Sequence, residues 1–202
     1  MLFPTPLAQE EALRALADIR AAVDRSTRYS TFSALAGFLS GAAALIGSGL
    51  CGIFPDFIGA QPRTGIPFVI VWGAVLAVAM IAQAILTTMK ARQRGHAVWT
   101  PIARTAFATL LGPGIAGIAG SAILIETARW ELLPGLWLLL YGCGLWSVSF
   151  FAPMFLRVLG AAFIVLGLCA WQWGDLAALW LGLGFGGLHM VFGTVVMARY
   201  RR

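Results

Sequence analysis

Charge is scarce in this 202-residue sequence. Fourteen lysines and arginines and eight aspartates and glutamates amount to 11% of the residues, whereas 60% are hydrophobic. Mean hydropathy is +0.87. Average globular chains are about 25% charged and about 45–50% apolar. A chain so short of charge cannot cover a water-facing surface, which excludes a soluble enzyme. Its apolar and aromatic content excludes disorder.

Histidine and cysteine are nearly as rare. Of the two histidines, His96 falls in a loop and His189 lies deep in an apolar run. A haem held by two membrane histidines is therefore not expected. Cys51, Cys143 and Cys169 lie in apolar runs without C-x-x-C spacing, and their odd number reads as buried free thiols. A P-loop, an H-E-x-x-H pair, a G-x-S-x-G elbow and dense carboxylate pairing are all missing. No catalytic residue, metal or cofactor is expected, and enzymatic activity is not.

What the chain does have is long uncharged runs. A helix needs about 20 apolar residues to cross a bilayer, because lipid offers no partner to loose backbone groups. Reading from charge to charge predicts an all-α, polytopic membrane protein of six helices. The expected spans are 31–54, 66–89, 101–125, 133–151, 153–172 and 176–198. Ala152-Pro153 divides the fourth from the fifth, and Asp175 reads as the N-cap of the sixth. Residues 1–30 read as an amphipathic cytoplasmic helix: Ala8, Ala12, Leu16, Ile19 and Val23 share one face, and Glu10, Arg14 and Asp18 the other. Residues 199–202 form a basic tail.

Twelve of the lysines and arginines fall in the N-terminal segment, the second and fourth loops and the tail. Only Arg63 and Arg129 fall opposite. The positive-inside rule then places both termini in the cytoplasm. Basic loops beside an anionic leaflet account for the net charge of +6 without nucleic acid. Residues 1–30 and 90–96 are the segments open to a cytoplasmic partner. Trp130, Trp137, Trp171, Trp173 and Trp180 fall near the outer ends of the helices, as an aromatic belt would.

Twenty-four glycines supply close helix contacts. On helix one, Gly37, Ser40, Gly41, Ala44, Ser48, Cys51 and Gly52 make a small face, with Phe38, Leu39, Ile46, Leu50 and Ile53 opposite. On helix six, Ala178, Gly182, Gly186, His189 and Gly193 form one stripe at 100° per residue. Both helices should pack against neighbours. Gly112-Pro113-Gly114 should kink or unwind helix three. Three helices plus three, each third helix glycine-loaded, would suit an inverted repeat.

His189, the one ionisable residue well inside a span, is the leading candidate for a polar site. Its expected partners are Ser40 and Ser48 on helix one, or backbone freed near Gly112, Pro113 and Gly114, with Gly186 beside it. Glu126 and Arg129 are a candidate outer ion pair at i,i+3. Tyr141, Ser147, Ser149 and Gln83 read as interhelical hydrogen-bonding residues.

The strings Asp24-Arg-Ser-Thr-Arg-Tyr29, Val98-Trp-Thr-Pro-Ile-Ala-Arg104 and Gly184-Phe-Gly-Gly-Leu-His189 resemble those of uncharacterised bacterial six-span inner-membrane proteins. The resemblance implies a bacterial inner membrane and no activity. Two roles remain open. One is a binding or interaction protein in the bilayer, a sensor or accessory subunit. The other is a small transporter or channel, forming a homo-oligomer, with its site between helices three and six near His189.

Overall fold

The computed structural model describes residues 34–60, 65–93, 98–150 and 152–200, and a few positions between Glu10 and Asp18. The described residues are helical with no strand, and six helices are long and apolar enough to cross a membrane. In chain order they are α1 (Ala34–Ile53), α2 (Gly65–Gln93), α3 (Pro101–Glu126), α4 (Leu133–Val148) and α5 (Phe155–Gln172), then a composite sixth span. That span opens with a 3-10 turn at Gly174–Leu176 and continues as α6 (Ala177–Leu181). A π-helical segment, Gly182–Leu188, leads into α7 (His189–Tyr200). Of the N-terminal segment, Glu10, Glu11, residues 13–16 and Asp18 are helical and exposed, and Arg14 lies 3.7 Å from Glu10. The rest of residues 1–30, residues 94–97 with His96, and residues 201–202 lie outside the described residues.

Several boundaries move, each for a local reason. α2 continues past Met89 through Lys90 and Arg92, since basic residues favour a helix C-terminus. α3 starts where Thr100 Oγ1 accepts from the Ala103 amide at 3.2 Å and Pro101 opens the first turn. α4 stops at Val148, three residues early, because Ser149 Oγ turns back onto the Trp146 carbonyl. α5 begins at Phe155, after Pro153.

α3 runs through Pro113 without a break, which corrects the expected unwinding. Gly112 and Gly114 flank the proline with no side chains to crowd, so one missing amide donor is tolerated. The irregular helix is the sixth, where the π turn sits. The two halves of the chain therefore do not match in their third helices, against the inverted-repeat expectation.

The packing is glycine on backbone. α1 lies along the sixth span, with Gly37, Gly41, Ala44, Gly47 and Cys51 buried. A Cβ at Gly41 would sit 3.0 Å from the Gly186 carbonyl oxygen, and one at Gly193 3.0 Å from that of Ala34. Two members of the expected helix-one faces change sides. Gly52 is exposed, and Phe38 fills the space over Gly193. The tightest backbone-on-backbone approach is between α4 and α5, where Cβ atoms at Gly142 and Gly160 would each lie 2.8 Å from the other's carbonyl oxygen. α2 and α3 lie at the edges, and none of the apolar stretch of α3 is buried.

The tryptophans are used inside as much as at a rim. Trp72 and Trp130 are buried, and Trp130 covers Gly65. Trp137 Nε1 donates to Ser121 Oγ at 2.8 Å and Trp171 Nε1 to the Leu132 carbonyl at 3.1 Å. Indoles that span two helices gain both area and a satisfied N–H, so the belt is only partial.

Candidate functional site

His189 sits where the π segment gives way to α7, and its backbone amide bonds to the Gly186 carbonyl. Its ring points into the bundle, toward α4 and α5. Nε2 lies 2.9 Å from Tyr141 Oη, a hydrogen bond whose donor depends on the tautomer. The two polar tips are enclosed by rings. Phe163 meets Tyr141 at 4.8 Å and His189 at 5.6 Å, both edge to face, and Phe185 meets Tyr141 at 5.3 Å and stacks on His189 at 6.2 Å. Edge-to-face and offset pairs are the favoured aromatic geometries. The ring cluster continues from Phe185 to Trp72 at 6.3 Å, and Phe68 stacks on Trp137 at 5.9 Å.

The expected partners of His189 are thus corrected. Ser48 Oγ donates to the Ala178 carbonyl at 2.6 Å, tying α1 to α6. Ser40 is half-buried on α1 and makes no hydrogen bond to His189. Gly186 abuts Leu45. Gly112 and Gly114 are exposed with open space where a Cβ would be, and Pro113 lies near Gly144 of α4. The structure brings none of Ser40, Ser48, Gly112, Pro113 or Gly114 to the imidazole. Tyr141, read from sequence as one interhelical hydrogen-bonding residue among four, is its partner. A tyrosine and a histidine alone at depth are a pair that sequence could have offered, since each needs a polar partner there.

The π turn explains the change of neighbours. A π segment holds one residue more per turn than an α-helix. Residues beyond it take the place that an unbroken helix would give to the residue before them. Met190 consequently lies against Gly41 on α1, with its amide nitrogen 3.3 Å from the Cβ position. His189 is turned off the glycine stripe. Its Nδ1 is shielded from the surface without a hydrogen bond, although the Gly184 and Phe185 backbone lies alongside. Trp72 Nε1 is likewise buried, with the Cys51 thiol beside it.

Elsewhere the expected pairs rearrange. Arg129 Nε donates to Glu131 Oε1 at 2.7 Å rather than meeting Glu126. The helix ends at Glu126 and Ala128 adopts φ 55°, so the i,i+3 geometry is lost before Arg129. Asp175 lies inside the 3-10 turn and caps nothing with its side chain. Gln83 bonds within its own helix to Thr87, whereas Ser149 accepts from Arg157 of α5 at 3.3 Å. The three cysteines are free, but Cys143 is exposed. Among the described residues no group of three or more His, Cys, Asp or Glu could hold a metal. A hollow of about 430 Å³ at the other end of the sixth span is lined by Cys51, Phe68, Glu131, Asp175 and Ala178, and neither His189 nor Tyr141 reaches it. Comparison with protein-family models, with curated proteins and with solved structures finds no match to this chain.

Proposed function

We propose that this chain is a multi-pass inner-membrane protein that works by binding a partner within the bilayer, as a sensor or accessory subunit. The observation that carries this reading is the filled interior at His189. The rings of Phe163 and Phe185 close around the Tyr141–His189 pair, leaving the histidine and tyrosine to each other. A solute path through that point would have to part those rings. The uncovered side of the bundle supports the same reading. α3 exposes Ala108, Gly112 and Ala119 along one face, and small residues are what membrane helices use to approach one another.

A photocrosslinking residue at Ala119, expressed in bacterial membranes, is expected to give a discrete protein adduct. Proteoliposomes should show no flux of protons, potassium or small neutral solutes beyond that of empty vesicles. Protein-dependent flux that His189→Leu abolishes would overturn the reading in favour of transport. So would adducts to lipid alone.

The charge distribution supports cytoplasmic termini. Cysteines placed beside Arg94 should react with an impermeant maleimide only in inverted vesicles, and those beside Glu131 only in intact cells. The reverse pattern would invert the topology.

A further inference from the structure

The sixth span carries two competing descriptions of where His189 belongs. At 100° per residue, His189 shares a stripe with Gly182, Gly186 and Gly193 and faces α1. In the structure, the π turn moves it one place round, to Tyr141, and gives its place against Gly41 to Met190. The difference between the two arrangements is a single residue of helical register. We propose that Gly182–Leu188 is a register switch: the span exchanges between this π form, latched by the His189–Tyr141 hydrogen bond, and an unbroken α form in which His189 turns to Gly41 on α1.

Four features carry the inference. The segment Gly-Leu-Gly-Phe-Gly-Gly-Leu has four glycines in seven residues, so few side chains must be repacked when its carbonyls change partners. Just before it, the Ser48 bond to the Ala178 carbonyl anchors the span, so a change of register rotates α7 relative to α6. The surface that would receive His189 is at Gly41, where the Met190 side chain, now 3.1 Å from the Cβ position, would give its place to the ring, and Ser40 lies alongside. Finally, Nδ1 has only the Gly184 and Phe185 backbone alongside and no well-aligned hydrogen bond in the π form, so the latch holds the imidazole chiefly through Nε2. A group held on one side only is a natural point of exchange. π turns inside α-helices occur often at functional sites, and two discrete packings of one element are the physical basis of switching. The inference concerns how the site is controlled, and it holds whether or not the interaction reading does.

Disulfide trapping tests it, in full-length protein with Cys51, Cys143 and Cys169 replaced by alanine. Gly41→Cys with Met190→Cys should cross-link the π form, and Gly41→Cys with His189→Cys the α form. Both bonds are expected. Deleting Gly187 removes the extra residue, keeps Met190 facing Gly41, and should permit the first cross-link while blocking the second. Formation of the first bond alone in the undeleted chain would overturn the proposal, as would equal formation of the second after the deletion. Because Gly41 is tightly packed, a second measurement avoids substituting it. In His96→Gln protein with isotope-labelled histidine, the His189 ring should show microsecond-to-millisecond exchange in NMR relaxation dispersion. Tyr141→Phe should raise the minor population several-fold, and the Gly187 deletion should abolish the exchange. A His189 signal without exchange in both the parent and Tyr141→Phe would overturn the switch.

Discussion

Gly160→Ala is expected to destabilise the protein more than any substitution on α3. The added methyl would meet the Gly142 carbonyl oxygen and the Trp146 amide nitrogen, both at 2.8 Å. Those neighbours are backbone atoms of α4, so no rotamer change relieves the contact and the helices must separate. Overpacking a core costs about 1–3 kcal/mol, and a rigid neighbour puts this case at the upper end. Gly142→Ala meets the same wall from the other side, at the Gly160 carbonyl and the Ile164 amide. The double variant should therefore cost less than the sum of the two, since one displacement accommodates both methyls. Gly112→Ala is the control. Nothing lies within 4 Å of its Cβ position, and alanine is a better helix former by about 1 kcal/mol. Thermal unfolding in detergent, followed by circular dichroism, should lower the midpoint for Gly160→Ala and leave it equal or higher for Gly112→Ala. Equal midpoints for the two variants would show that α4 and α5 are not in contact as described.

Tyr141→Phe should be nearly as damaging although it removes one oxygen atom. It leaves His189 Nε2 without its partner, and a buried polar group without a partner costs about 1–3 kcal/mol. His189→Leu orphans the Tyr141 hydroxyl by the same logic, whereas His189→Gln keeps a donor and an acceptor and should retain more stability. The decisive variant is Tyr141→Phe with His189→Leu. Removing both partners of a buried hydrogen bond can be close to neutral, so the double variant should be more stable than additivity predicts by about 1 kcal/mol or more. Strict additivity across the four proteins would mean that the two side chains do not interact.

The sequence by itself determined that the chain is helical and that six of its helices are long and apolar enough to cross a membrane. Both come from composition along the chain: uncharged runs near 20 residues leave the backbone no alternative to helices, and charged residues and Pro153 separate them. It also located the small faces of the first and sixth helices, because an α-helix projects its side chains with a fixed period. It singled out His189 because one ionisable group in a long apolar run has few places to go. Tertiary structure decided what that periodicity could not express. The fixed 100° step assumes an unbroken α-helix, and the π turn at Gly182–Leu188 adds a residue that moves His189 from α1 to Tyr141. Pro113 suggested a break that the exposed helix α3 does not make, while the sixth span, with no proline, carries the irregularity. The closest backbone approach, Gly142 on Gly160, joins two helices whose glycines form no long stripe. A helix face records that a residue is small but not which backbone will come to lie on it. Pairings of that kind, and the partner of a buried imidazole, are settled only when six helices compete for the same contacts.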